Sequence, residues 1–374
     1  MAGIYLHIPF CKQACTYCNF HFSTSLRYKD DLVKALAVEA VKEKEYVGGE
    51  TINTIYFGGG TPSILEVSEL EYLISSLHKQ YSVAPTAEVT LEANPDDITA
   101  EKLKAWKNLG INRLSIGVQS FYEEELRWMN RAHNAQQAME NLQLARKEFD
   151  NITIDLIYGS PLLSDEMWEQ NVKRAIELDI PHLSCYALTV EEKTRLYKLI
   201  NTRKVDDIDN DKQARQFLLL MQWLRANGYE HYEVSNFAKP GFRSRHNSSY
   251  WKGDKYLGLG PSAHSYNGSE RRWNVANNIV YIKGIHENSS QREVETLTPT
   301  QRLNEFIMIS LRTMEGIDLE RLESEFGGDE RSRIEQQALK FEGHGLIQHN
   351  QQFIHLTDEG MLRADGIASE LFVG

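Results

Sequence analysis

Cys11, Cys15 and Cys18 crowd into a stretch of eight residues, in a chain that has only four cysteines. The C-x3-C-x2-C spacing puts three thiols on one short loop, a pattern that points to a metal or a metal cluster rather than to a disulfide framework. Disulfides are in any case rare in reducing compartments, and the N-terminal residues carry no basic segment followed by a long apolar one, so the cytoplasm is the expected location. A ferredoxin-type cluster takes four protein thiolates, and this loop supplies three. Two chemistries stay open. One is zinc held by the three cysteines and His21. The other is an iron–sulfur cluster with one iron left for a small molecule. Cys185, inside the strand-like His182-Leu-Ser-Cys-Tyr-Ala-Leu188, reads as a buried small hydrophobe.

The elements that would position this loop alternate. Short apolar, β-branched stretches near 3–8, 52–57, 87–92, 112–118, 151–157 and 182–188 read as strands. Amphipathic stretches separate them. Between 30 and 46, Leu32, Leu36 and Ala40 recur every four residues beside Val33, Ala37 and Val41. Ala214, Phe217, Leu218, Met221 and Leu224 form a later stripe that Gly228 would cap. This alternation predicts an α/β fold, a parallel sheet with helical crossovers, either a full or partial β/α barrel or a doubly wound sheet. Isolated polar residues mark the strand ends, Gly58-Gly59-Gly60-Thr61, Glu92, Gln119, and Tyr186 with Ala187, while Asp155 interrupts the fifth strand. In a barrel such residues converge on the C-terminal face, where the cysteine loop also opens.

The remainder of the chain changes character. Residues 195–212 read as a charged loop, and 227–290 as irregular, rich in Gly, Asn, Ser and Tyr. Gly258-Leu-Gly-Pro-Ser-Ala263 mimics a dinucleotide fingerprint, but Pro261 and the lack of a preceding strand make it a turn. Three helical patterns follow residue 297, then a hairpin at 346–356 and a final helix after Thr357. That order predicts a small, mostly helical, winged-helix-like domain. Residues 1–230 would form the barrel, 231–295 an extension and 296–374 the C-terminal domain. From 301 onward 7 basic residues face 14 acidic ones, and the whole chain carries −12, so nucleic acid is excluded as a partner. With 41 % apolar and 25 % charged residues the chain is an ordinary globular one.

The cysteine loop, Gly58-Gly-Gly-Thr-Pro-Ser63 and the barrel pattern together resemble the radical S-adenosylmethionine (SAM) superfamily. The fold implied is a partial (β/α)6 barrel. Tyr5-Leu-His-Ile-Pro-Phe-Cys11, Ile116-Gly-Val-Gln-Ser-Phe121 and Asp155-Leu-Ile-Tyr-Gly159 are similar to the coproporphyrinogen-dehydrogenase branch. The resemblance implies a [4Fe–4S] cluster on Cys11, Cys15 and Cys18, with SAM chelating the fourth iron and yielding a 5′-deoxyadenosyl radical on reductive cleavage. It further implies that Tyr5, Gly59 and Glu92 contact that SAM, with Gly60 and Thr61 beside it. Tyr17, Gln119, Arg131, Asp155 and Ala187 match positions that hold a second SAM. His264 would line the same mouth.

Two features separate the dehydrogenases from the heme chaperones of this branch. The dehydrogenases carry a further cysteine two residues past the third, where this chain has Phe20. They also have a long N-terminal arm that covers substrate, whereas ten residues precede Cys11 here. A radical decarboxylation needs a site closed to water. The chaperones are marked by an H-N-x-x-Y-W stretch, present as His246-Asn-Ser-Ser-Tyr250-Trp251. On that likeness His246 would ligate heme iron, Tyr250 and Trp251 would pack on the porphyrin, and Lys239, Arg243, Arg245 and Lys252 would pair with its propionates. The function implied is heme binding and delivery to an acceptor hemoprotein, a membrane respiratory protein, with the chaperone at the inner face of the membrane and the cluster and SAM governing docking, dimerisation or release. Coproporphyrinogen III dehydrogenase activity is the catalytic alternative, and a zinc-stabilised interaction protein the third.

Overall fold

The computed structural model describes residues 2–289 and 291–374. All six strands expected from periodicity are present and parallel: β1 Ala2–Ile8, β2 Ile52–Gly59, β3 Val83–Ala93, β4 Arg113–Gln119, β5 Ile152–Tyr158 and β6 His182–Ala187. Helical crossovers join each of the first five to the next, as parallel pairing requires. The first, α1 (Lys29–Lys42), buries Leu32, Val33, Leu36, Ala37 and Ala40. Val41, read as part of that stripe, faces solvent instead. Along each strand the side chains alternate between two faces. Ile4, Leu6 and Ile8, Ile55 and Phe57, Leu114 and Ile116, and Ile152 and Ile154 join the helices in one continuous apolar core. The intervening residues are polar or aromatic: Tyr5 and His7, Tyr56, Glu88, Thr90 and Glu92, Arg113 and Ser115, Thr153 and Asp155, His182 and Ser184. They face one another across the barrel interior. The partial barrel therefore has a greasy exterior wall and a polar lumen.

The stretches read as loop or irregular are ordered. Arg195–Asn201 is a helix, capped by the Thr194 hydroxyl accepting from the Tyr197 amide. The helix Asn210–Ala226 starts from an Asp209 cap. Residues 230–296 extend the sheet at both ends to twelve strands among the described residues. Glu230–Glu233 and Asn236–Ala238 add antiparallel strands beyond β6. Lys255–Leu259 lies parallel beside β1, and His264–Tyr266, Glu270–Asn274 and Arg292–Thr296 continue antiparallel from it. Gly258 explains part of what hid this edge. A Cβ there would stand 2.0 Å from the His264 carbonyl oxygen, so the strand needs glycine where propensity would ask for a β-branched residue. The segment Gly258–Ala263, expected to be a turn for want of a preceding strand, does follow one. Gly258 and Leu259 end the strand Lys255–Leu259, and only Gly260-Pro-Ser-Ala263 is a turn, closed by the Ala263 amide donating to the Gly260 carbonyl at 3.2 Å.

Beyond residue 297 the order is helix Pro299–Leu311, short strand Ile317–Asp318, helices Leu319–Phe326 and Gly328–Glu342, then the hairpin Ile347–His349 and Phe353–Leu356. The three strands pair in a winged-helix arrangement. No helix among the described residues is long and apolar enough to cross a membrane.

Candidate functional site

The cysteine loop leaves β1 at the barrel's C-terminal mouth and is pinned along its length. The Cys11 amide donates to the Ser23 carbonyl at 3.0 Å, and the Thr16 amide to the Met129 carbonyl at 3.0 Å. The Asn130 amide group donates to the Ala14 carbonyl at 2.7 Å. Lys12 pairs with Asp96 at 2.7 Å and also with Asp97. Cys11, Cys15 and Cys18 are free thiols, each half-buried. Burial pushes the Cys18 thiol up to about 11 and raises that of Cys11. Coordination to a cluster would remove their protons outright. Arg131 lies against them, its Nη1 donating to Cys15 Sγ at 3.2 Å. The donor set therefore fits a cluster of three thiolates. It does not fit zinc. His21 turns its Nε2 to Asn278 Oδ1 at 2.7 Å, and among the described residues no three His, Cys, Asp or Glu stand close enough to hold one ion.

Around the loop stand the strand-end residues. The Gly60 amide donates to the Ile8 carbonyl at 2.9 Å and the Thr61 amide to the Phe10 carbonyl at 2.7 Å. A Cβ on Gly60 would come within 2.7 Å of that Phe10 oxygen, so only glycine allows the two loops to touch. The Gly59 amide donates to Glu92 Oε2 at 3.2 Å, and the Tyr56 hydroxyl to Glu92 Oε1 at 2.8 Å. Desolvation, with the Asp155 charge adding, lifts the Glu92 carboxyl to about 7 against the Tyr56 hydrogen bond. Desolvation likewise lifts Asp155 to about 6, opposed by its Ser184 hydrogen bond. Tyr5 stacks on Tyr56 at 6.0 Å. Tyr17 packs with Met129, Ile157, Leu188 and Leu196. Gln119 ends β4 in a left-handed conformation at φ 68°, and Ala187 ends β6. His264 stands at the first position of its strand, exposed and stacked on Trp273 at 5.7 Å.

His246 is elsewhere. The segment expected as a loop is the helix Arg245–Lys252, capped by Ser244, and it plugs the opposite end of the barrel. The imidazole is 1 % exposed. Its Nδ1 pairs with Thr54 Oγ1 and its Nε2 with the Tyr250 hydroxyl, both at 2.8 Å. Its ring stacks on Tyr56 at 4.9 Å, and its backbone amide donates to Glu88 at 3.0 Å. Burial, reinforced by the Arg113 charge, pulls it down to about 3, so it is neutral. Neither nitrogen is open to iron in this conformation, because the motif's own Tyr250 holds one of them. Beneath the plug lies a cavity of about 440 Å³, bounded by Thr54, Trp251, Lys252, Arg243 and Arg245 and by the C-terminal domain through Phe306. Lys239 is not in its wall but pairs with Asp179.

Sequence reasoning missed Asn94, which donates to Thr61 Oγ1 at 3.2 Å and accepts from Arg131 at 2.7 Å. It also missed Lys12 with its two aspartates, Tyr56, and Thr54. Asn94-Pro-Asp96-Asp97, directly after the Glu92 strand end, was the available clue.

Residues 5–175 match the Radical SAM superfamily and residues 297–363 the HemN C-terminal domain. The heme chaperone HemW of Bacillus subtilis is 33 % identical over 366 residues, 97 % of each chain. HemW of Escherichia coli is 38 % identical over 266 residues, 70 % of this chain and 69 % of that one. Among solved structures, the Escherichia coli coproporphyrinogen III oxidase HemN, a radical SAM enzyme, superposes with a TM-score of 0.85 at 24 % identity, covering 100 % of this chain and 90 % of that one. With the cysteine loop, the mouth and the winged C-terminal domain in place, the chain belongs to the HemW family of radical SAM proteins.

Proposed function

We propose that this protein binds heme and hands it to an acceptor hemoprotein. The observation that carries the reading is the full-length similarity to heme chaperones, 97 % of both chains in the Bacillus subtilis case. The family implies a [4Fe–4S] cluster and SAM at the mouth, where Cys11, Cys15 and Cys18 would hold the cluster and Tyr5, Gly59 and Glu92 the SAM. A cluster of this type supplies one electron to the sulfonium of bound SAM. The chain's own residues would orient that pair and shield it: the glycine turn admits it, Glu92 offers a carboxylate, and Tyr17 anchors the loop against Met129, Ile157, Leu188 and Leu196. A second SAM on Tyr17, Gln119, Arg131, Asp155 and Ala187 belongs to the same proposal, with His264 at the rim.

We place the heme at the other end, in the 440 Å³ cavity under the His246 helix. Trp251 offers a flat face there, and Arg243, Arg245 and Lys252 offer cations for propionates. Arg243 is already paired with Glu230 at 2.9 Å and Glu315 at 2.7 Å, so Arg245 and Lys252 carry more of the weight. For His246 to reach iron, its helix must tilt and release both ring hydrogen bonds. The acceptor would be a membrane respiratory protein, with the chaperone working from the cytoplasm, at the inner membrane face, and docking or dimerising under control of the cluster. Hemin titration of anaerobically purified protein tests this, with His246→Ala and Trp251→Ala beside the wild type. A specific Soret shift in the wild type that weakens in both variants is expected. No shift in the wild type overturns heme binding, and equal titrations of wild type and His246→Ala clear His246 alone. Incubation with coproporphyrinogen III, dithionite and SAM should give no decarboxylated product.

A further inference from the structure

We infer that Arg131 tunes the reduction potential of the cluster through Cys15, besides any contact it makes with SAM. This rests on the mouth holding a [4Fe–4S] cluster and is independent of the heme reading. The guanidinium is a three-way brace. Nη1 donates to Cys15 Sγ at 3.2 Å, while Nη2 donates to Asn94 Oδ1 at 2.7 Å and to the Gly117 carbonyl at 2.8 Å. Both oxygens belong to barrel strand ends, so the charge is fixed relative to the sheet and aimed at one particular ligand. The residues just before it hold the same loop. Met129 accepts from Thr16, and Asn130 donates to Ala14.

Potentials of such clusters follow net charge and hydrogen bonds to sulfur. A [4Fe–4S]2+ core with three thiolates carries −1, and adding one electron makes it −2. A neighbouring cation therefore stabilises the reduced form more than the oxidised one. Arginine suits this task because it cannot give up its proton. The other cation of the loop, Lys12, is turned to Asp96 and Asp97, so Arg131 is the cation that donates to a cluster thiol, with Asp96 and Asp155 near enough to feel its charge. Its Nε is buried without a hydrogen-bond partner, a desolvated donor that the braced geometry imposes.

The test is an EPR-monitored redox titration of the reconstituted full-length protein, without SAM and then with saturating SAM. Arg131→Met removes charge and donor. Arg131→Lys keeps the charge on a shorter, unforked stem. Without SAM, the methionine variant should hold about tenfold less reduced cluster at a given potential, equivalent to a midpoint ~59 mV lower for one electron. The lysine variant should shift the same way by less. If the methionine variant loads too little iron, the lysine variant alone decides. An unchanged midpoint in whichever variant carries a full cluster overturns the inference, and so does a shift seen only with SAM present, which would assign Arg131 to the nucleotide. A wild type without any cluster would overturn the underlying family reading instead.

Discussion

The mouth and the floor of this barrel are built from the same strands, yet they treat polar groups in opposite ways. At the mouth, burial lifts the Cys18 thiol to about 11 and the Glu92 carboxyl to about 7, which favours their neutral forms, so that a bound counter-charge would be needed to draw out the charged ones. At the floor, the groups around the plug complete one another. His246 has a partner on each nitrogen and Glu88 accepts from the amides of Arg245 and His246, whereas His182, deeper in the lumen, is paired with the Tyr232 hydroxyl at 2.7 Å through one nitrogen and leaves its Nδ1 buried without a partner. Cysteine and histidine are both ligand types. What separates a poised ligand from a structural one is whether its neighbours have already satisfied it.

The sharpest way to break this comparison is to remove one residue at each end. Cys15→Ala should lose the cluster altogether, read as loss of iron and sulfide after reconstitution, with stability in urea changed by less than ~1 kcal/mol, because Lys12, Ala14 and Thr16 pin the loop without it. His246→Ala should do the reverse. It should keep its iron yet lose about 2–4 kcal/mol, since it empties a packed site and strands the Thr54 and Tyr250 hydroxyls. Iron loss in the second variant, or a large stability loss in the first, would dissolve the distinction.

A finer comparison lies within the mouth, between its brace and its clamp. Lys12→Ala removes a cation that is 41 % exposed, paired with a nearly buried Asp97. A pair of that exposure is worth ~1 kcal/mol or less to stability. The loop would still lose its tether to the Asp96–Asp97 turn, so the cluster should bleach faster in air at an unchanged starting iron content. Equal bleaching rates would show that the Thr16 and Ala14 contacts suffice.

How far the sequence foretold these two ends differs for a physical reason. The mouth is made of strand ends and a cysteine loop, and each piece carries its own local mark: three thiols, a glycine run, a carboxylate closing an apolar strand. Their convergence follows from parallel topology. The floor is made by long-range contact. Thr54 and His246 are 192 residues apart, and nothing in either segment announces the other. The edge strands that carry the plug into place are short and rich in Gly, Tyr and charge, and their pairing beside β1 and β6 is decided by the sheet rather than by their own propensity. The polar lumen was legible in the alternation of Tyr5 and His7 with Ile4, Leu6 and Ile8, but only once the strands were known to curve.

The last effect expected belongs to Glu92, and only pH reveals it. Its folded value, about 7, exceeds the ordinary 4.5. Below pH 4.5 the carboxyl is protonated in both folded and unfolded chains, and its contribution to stability is fully present. As pH rises toward 7 the unfolded chain ionises first while the folded one still holds its proton, so that contribution is progressively lost. Glu92→Gln cannot ionise. In cluster-free protein the melting temperature of the variant minus that of the wild type should therefore widen from pH 4.5 to 7 and then level, by a few degrees at most for a chain this size. Saturating SAM in the reconstituted protein should narrow the gap again above pH 7, because a ligand amine beside the ionised carboxylate rewards the very charge that the empty mouth penalises. A gap that stays constant from pH 5 to 8 would mean that burial does not hold the Glu92 proton, and that the mouth does not penalise the carboxylate's charge.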